Sequence, residues 1–140
     1  MHNLRQATVK DITQMAEIES ICFPEAEAAN LKTFEERFNI FSECFFVLEI
    51  DGAIVGHING CIYDSPELPD ALYSDASLHC PAGKYQTVFG LAIAPKYQRK
   101  GYASLLTKHF IKVSKNKGHH GMVLTCKDHL VALYQQHGFI

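Results

Sequence analysis

No apolar run in the chain approaches the roughly 18 residues that span a bilayer, and the opening decapeptide MHNLRQATVK lacks the apolar core of a secretory signal. A membrane partner is therefore not expected. Excess charge of either sign is missing as well. A formal net charge of -2 and an isoelectric point near 6.4 give no global reason to expect nucleic acid, because the basic residues gather only locally. There is no low-complexity tract and no internal repeat. The five cysteines, Cys22, Cys44, Cys61, Cys80 and Cys126, are odd in number and contain no CxxC pair. That pattern disfavours a disulfide framework and fits reduced thiols in a cytoplasmic protein.

What is present fits one globular domain over residues 1–140. Such a length buries about two-thirds of the unfolded surface in one core, and 47% hydrophobic with 20% charged residues is an ordinary globular balance. Residues 4 to 9 read as a short strand. In KDITQMAEIESICF, Asp11 and Gln14 have capping-box-like spacing, and Ile12, Met15, Ile18 and Cys22 share a helical face. Leu31, Phe34, Phe38 and Phe41 recur at helical intervals and predict a second helix over 30 to 41, its aromatic stripe directed to a core.

The run CFFVLEI, the turn Asp51-Gly52 and the run AIVGHINGCIY predict a hairpin, since Asp-Gly suits the positive φ angles of a tight turn. A long irregular stretch, 64 to 84, precedes the apolar run TVFGLAI. Connections of that length inside a compact domain are uncommon and often functional. GMVLTCK predicts a strand, and DHLVALYQQHGF a helix with Asp128 as N-cap and Gly138 past its end. The order is β-α-α-β-β-loop-β-α-β-α, with a further strand starting at GFI.

The segment LAIAPKYQRKGYASLL, residues 91 to 106, sets basic residues around one glycine where a strand hands over to a helix. The first N–H groups of a helix lack partners within it and carry partial positive charge. A glycine lets an anion approach the backbone, and Gln98, Arg99 and Lys100 add donors. Either this is an anion site of the phosphate kind or it is a solvated basic loop. Neither GxxxxGK[ST] nor GxGxxG occurs in the chain, which disfavours the common nucleotide-binding folds.

Gln98, Arg99, Lys100, Gly101, Tyr102 and Ala103 resemble the Q/R-x-x-G-x-G/A signature of the GCN5-related N-acetyltransferase (GNAT) superfamily, which cradles the pyrophosphate of acetyl-CoA. The likeness extends along the chain. LRQATVKDITQMAEIE is similar to that superfamily's first strand and helix, residues 44 to 63 to its second and third strands, and VLTCKDHLVALYQQHGFI to its closing elements. The last segment resembles the arylalkylamine N-acetyltransferase branch. The resemblance implies a mixed α/β fold, a twisted and largely antiparallel sheet with helices on both faces, splayed at one point to admit acetyl-CoA.

Carried over residue by residue, the resemblance implies that Leu91, Ala92 and Ile93 expose backbone to the pantetheine arm. It implies that Gln98, Arg99, Lys100, Gly101, Tyr102, Ala103 and Ser104 offer N–H groups to the pyrophosphate. It also implies that Tyr134 is a general acid beside the sulfur, where a hydroxyl stabilises the departing thiolate. By spacing alone Tyr134, which shares a helical face with Leu130, Leu133 and His137, could as well be a core tyrosine. Two histidines that the vertebrate arylalkylamine enzymes carry on the strand before the turn are replaced here by Thr87 and Phe89. His79 is the nearest titratable substitute for that proton relay; a surface histidine beside a chain of waters is the alternative.

No metal is expected. His119 and His120 are adjacent, a poor geometry for one tetrahedral site, and read as part of a turn. Cys126 has no activating neighbour in sequence, so direct transfer from coenzyme to amine is favoured over a thioester on the protein. The implied activity is acetyl-CoA-dependent N-acetyltransfer. The loop DSPELPDALYSDASLHCPAGK is acidic, with Asp64, Glu67, Asp70 and Asp75 against Lys84; either it is charged for solubility or, since the resemblance implies that this loop borders the acceptor side of the cleft, it favours a small cationic amine. A protein lysine or N-terminal amine is the alternative acceptor, and a non-catalytic acetyl-CoA sensor the alternative function. The chain's end at GFI implies a domain cut short or a sheet completed by a partner, a homodimer among the options.

Overall fold

The apolar run that opens the hairpin faces two ways, and this organises the fold. In the computed structural model, which describes residues 2–24, 28–67, 69–73 and 75–124, the hairpin is β2 (Phe45–Ile50) and β3 (Ala53–Asn59). Successive side chains of a strand point to opposite faces, so Phe45 and Val47 join one core cluster and Phe46 and Leu48 the other. A strand buried on both faces needs no polar alternation. The Asp51-Gly52 turn has the predicted positive φ angles, 51° and 84°.

On one face lie α1 (Ile12–Cys22) and α2 (Leu31–Phe41), which bury Met15, Phe34 and Phe41. The aromatic stripe of α2 is thus core, and Asn30 caps the helix by accepting the Thr33 N–H at 2.9 Å. The other face carries α3 (Tyr102–Asn116), which buries Leu106 and Phe110. At the start of the chain β1 (His2–Gln6) pairs antiparallel with β2. The predicted Asp11–Gln14 box is replaced by one a turn earlier, between Thr8 and Asp11. Asp11 also receives Arg5 in a bidentate pair, at 2.7 and 3.0 Å, which ties β1 to the start of α1.

The sheet divides at one bend. After β3 come β4 (Ile62–Tyr63), β5 (Tyr85–Val88) and β6 (Gly90–Ile93), and β7 (Gly121–Leu124) follows α3. The order β1-β2-β3-β6 forms one four-stranded sheet and β4-β5-β7 a three-stranded one, in which β5 and β7 run parallel. β5 and β6 are consecutive and separated only by Phe89, yet they belong to different sheets. From Gly90 onward β6 keeps β3 on one side and pairs with no described strand on the other. This is the mixed α/β, largely antiparallel, splayed arrangement predicted above. No helix among the described residues is long and apolar enough to cross a membrane.

The loop 64 to 84 contains two short 3-10 turns, Asp70–Tyr73 and Ala76–Leu78, and sends Leu72 into the core beside α2. The residues around His119 and His120 form the predicted turn after α3, with Ser114 Oγ 2.9 Å from His119 Nδ1. Tyr134 and Cys126, with the predicted last helix, lie outside the described residues.

Candidate active site

β6 ends in the turn that the sequence singled out. Leu91, Ala92 and Ile93 are buried, Leu91 and Ile93 packing toward α3, while their strand edge away from β3 pairs with no described strand. Pro95–Tyr97 makes one 3-10 turn, and the backbone then takes left-handed φ angles at Arg99 (65°) and Gly101 (85°). Gly101 is the N-cap of α3 and supplies no side-chain hydrogen bond. Among the described residues no backbone carbonyl accepts the N–H groups from Arg99 to Ser104. A Cβ built on Gly101 would meet nothing within 4 Å. A cavity of about 200 Å³ lies there, lined by Ile93, Tyr97, Gln98, Arg99 and the first turn of α3. Bare N–H groups, a helix N-terminus and the exposed cations Arg99 and Lys100 around open space suit a phosphate anion.

Gln98 departs from its expected part. Its own N–H goes to the Pro95 carbonyl at 3.3 Å, and its side chain donates to the Ile93 carbonyl at 2.8 Å. Gln98 therefore braces the turn against the end of β6, leaving the donors to Arg99 and the residues after it. Cys22 adds a second tie, its Sγ 3.1 Å from the same carbonyl.

His79 is not free to take a proton. Its Nδ1 accepts the Ile62 N–H at 3.0 Å, so Nε2 carries the hydrogen and lies 3.4 Å from Glu43. The ring stacks on Phe41. Burial pushes its pKa below the usual imidazole range, with Glu43 opposing that shift. The geometry is that of a histidine that ties the loop to β4. Thr87 and Phe89, where the relay histidines would stand, are also structural. Thr87 Oγ1 donates to the Cys61 carbonyl at 2.9 Å, and the Arg37 guanidinium lies 4.6 Å from the centre of the Phe89 ring.

A polar cluster that the sequence reading missed sits beneath the bend. Glu19, His57 and Asn59 are 4%, 0% and 0% exposed. One Glu19 oxygen accepts the Ala29 N–H at 2.7 Å; the other lies 3.7 Å from His57 Nε2. Asn59 Nδ2 is 3.5 Å from His57 Nδ1. An amide nitrogen can only donate, so Nδ1 accepts and Nε2 bears the hydrogen that faces Glu19. Burial raises the Glu19 pKa, while the Ala29 N–H and Arg37 lower it in part. Burial, with Arg37 adding, pushes His57 down to about 3, so the imidazole is neutral. A signal was present: Glu19 falls on the same helical stripe as Ile12, Met15 and Ile18, and His57 and Asn59 alternate along an otherwise apolar strand.

Gly90 closes this cluster. A Cβ there would lie 2.7 Å from Glu19 Oε1, 3.5 Å from Asn59 Nδ2 and 3.6 Å from His57 Cε1. Glu19 cannot swing away without losing Ala29. Gly90→Ala is therefore expected to cost about 1–3 kcal/mol, the usual range for overpacking, as a lowered urea midpoint at unchanged m-value; an unaltered midpoint would show that the cluster yields freely. Among the described residues no group of three or more His, Cys, Asp or Glu could hold a metal ion.

This architecture recurs among solved structures. The loading GNATL domain of CurA from Lyngbya majuscula superposes with a TM-score of 0.72 at 21% identity, covering 81% of this chain; the chain spans 58% of that domain's length. The ribosomal-protein-S18-alanine N-acetyltransferase of Escherichia coli matches with a TM-score of 0.72 at 21% identity, over 100% of this chain and 78% of that one. A GNAT family acetyltransferase from Brucella melitensis, solved in complex with acetyl-CoA, matches with a TM-score of 0.69 at 17% identity, over 100% and 83%. At these identities the likeness is one of fold. The family model for Acetyltransferase (GNAT) matches residues 12–139, nearly the whole sequence, and the chain belongs to that family.

Proposed function

We propose that this chain, acting as a single domain over residues 1–140, transfers the acetyl group of acetyl-CoA directly to an amine. The observation that carries the reading is the bare N-terminus of α3, capped by Gly101 and set at the end of a strand whose second edge pairs with no described strand. The N–H groups from Arg99 to Ser104 hold the pyrophosphate. The edge of Leu91, Ala92 and Ile93 receives the amide groups of the pantetheine arm, as an added strand would be received. The acetyl-CoA held by the Brucella melitensis neighbour supports this assignment. Tyr134 protonates the departing thiolate, a role that rests on the family resemblance of YQQHGF.

The reading is tested by steady-state thiol release over a panel of amines, with binding of acetyl-CoA measured in parallel. Binding with no thiol released above the buffer rate for any amine would make the protein a sensor. A protein N-terminus or lysine is the second acceptor class, favoured by the alanine acetyltransferase among the neighbours. Peptides beginning with alanine belong in the panel for that reason.

For the acceptor we favour a small cationic amine. Asp64, Glu67 and Asp75 are exposed on the loop between β4 and β5, which in the family's layout borders the acceptor side. Asp75 Oδ1 accepts both the N–H and the hydroxyl of Ser77, so its charge is held in place. Such a rim concentrates protonated amines and repels anionic ones, and salt screens it. The expected result is a higher kcat/KM for putrescine than for glutamate, with a ratio that shrinks at high salt and in Asp64→Asn and Asp75→Asn. Preference for glutamate, or a cationic preference indifferent to salt and to both substitutions, would remove the electrostatic basis.

A further inference from the structure

A carboxylate buried to the extent of Glu19 has a large desolvation cost that packing alone does not explain. One oxygen is held by the Ala29 N–H; the other has no hydrogen-bond partner among the described residues. That free oxygen is buried and lies directly over Gly90, where a Cβ would come within 2.7 Å of it. Gly90 is also the first residue of β6, whose edge away from β3 pairs with no described strand. About 10 Å of strand separates Ile93, beside the anion-binding turn, from Gly90, a span that an extended pantetheine arm covers. A fixed carboxylate oxygen thus stands beneath the point on the edge that the thioester reaches.

We propose that Glu19 takes the proton from the acceptor amine. This rests on the transferase reading and deepens it by naming the base. The ammonium gives one proton to Glu19 Oε1, forming a carboxyl group. The freed lone pair forms the N–C bond to the acetyl carbonyl carbon, the C–S bond breaks with its electron pair on sulfur, Tyr134 gives its proton to that sulfur, and the second proton of the nitrogen passes to the phenolate and restores the phenol. Glu19 then returns its proton to solvent, so the balance is ammonium plus thioester to amide, thiol and one proton. Neutral His57, with its Nε2 hydrogen toward Glu19, and Asn59 behind it position the carboxylate and are not proton carriers in this scheme. Among the described residues the charged and titratable groups facing Glu19 are His57 from β3, Arg37 from α2 and Cys22 from its own helix. Burial holds the Glu19 pKa above the usual carboxylate range, which makes it a better base near neutrality than an exposed glutamate.

The test is Glu19→Gln, whose side-chain oxygen still accepts the Ala29 N–H while basicity is lost. With putrescine, phenethylamine and an alanine-initiated peptide as acceptor probes, kcat is expected to fall about a hundred- to ten-thousandfold, with acetyl-CoA affinity within about threefold by calorimetry. The pH profile separates a base from a tether. In the natural protein kcat rises through the Glu19 pKa and then levels. In the variant it climbs with unit slope to the pKa of the amine itself. Glu19→Asp, a carboxylate one methylene shorter, is expected to restore a levelled profile and part of the rate. A readout that needs no turnover is the carboxyl carbon resonance of Glu19 in the coenzyme-free protein, expected to shift on adding the accepted amine. Transfer by Glu19→Gln at an unchanged rate and with a levelled profile, or an unmoved carboxyl resonance, would overturn the assignment to Glu19 and leave the transferase reading standing. A natural protein that binds acetyl-CoA but acetylates none of the probes would overturn both.

Discussion

Gly101→Glu is expected to abolish measurable binding of acetyl-CoA while the protein still folds. Two effects combine. At a φ of 85° any L side chain carries a local cost of roughly 1–2 kcal/mol, a loss a domain of this size tolerates. In the free protein the new Cβ meets nothing within 4 Å, so there is no steric penalty. The glutamate instead occupies the open space over the first turn of α3 and puts a negative charge where the pyrophosphate would sit, among N–H groups that a carboxylate itself can satisfy. Gly101→Ala separates the contributions, since it keeps the strain and part of the bulk without the charge, and a smaller loss of affinity is expected. Arg99→Ala and Lys100→Ala should weaken binding modestly and reduce its salt sensitivity, because both residues are exposed and act through screened charge. Calorimetry on the folded variants checks all four. Undiminished affinity in Gly101→Glu would remove the turn from the coenzyme site.

The parts of this site legible in the sequence are those whose local chemistry dictates their geometry. Asp51-Gly52 could be read as a hairpin because the turn itself demands positive φ. Gly101 could be read as an approach point because few other residues sit at an uncapped helix start after basic donors. The apolar runs marked where strands lie, though not how they divide or pair. What could not be read depended on which chains meet. Gln98 looks like a donor for an anion until the end of β6 is placed beside it, and then the Ile93 carbonyl claims its amide. His79 looks like a loop base until β4 brings the Ile62 N–H to its Nδ1. Glu19, His57 and Asn59 come from a helix and a strand well apart in the chain, and each alone resembles a stray polar residue in an apolar pattern. The bend at Phe89 that gathers them has no local marker at all, since TVFGLAI reads as one continuous strand. The division into two sheets arises from pairing, with β3 claiming one half of that run and β4 and β7 the other.

With Glu19 as the base, the reaction also needs an acid, because the thiolate that leaves carries a full negative charge. Tyr134→Phe removes one hydroxyl and preserves the ring, so packing is retained and the effect falls on the hydroxyl. If the hydroxyl donates to the sulfur as the C–S bond breaks, kcat should drop about a hundred- to ten-thousandfold, with KM and acetyl-CoA affinity little changed, since the interaction forms only in the transition state. The pH dependence gives an independent check. A phenol titrates near pH 10 unperturbed, and only its protonated form serves, so the natural protein should lose activity at high pH in a limb that Tyr134→Phe lacks. Together with the acid limb assigned to Glu19 this predicts a plateau bounded on both sides, in which Glu19→Gln moves the low side up to the pKa of the amine and Tyr134→Phe removes the high side. Measuring kcat for both variants across that range decides the roles. Turnover and an alkaline limb unchanged in Tyr134→Phe would return that residue to packing, and the sulfur's proton would then have to come from the acetylated nitrogen without a protein acid to assist.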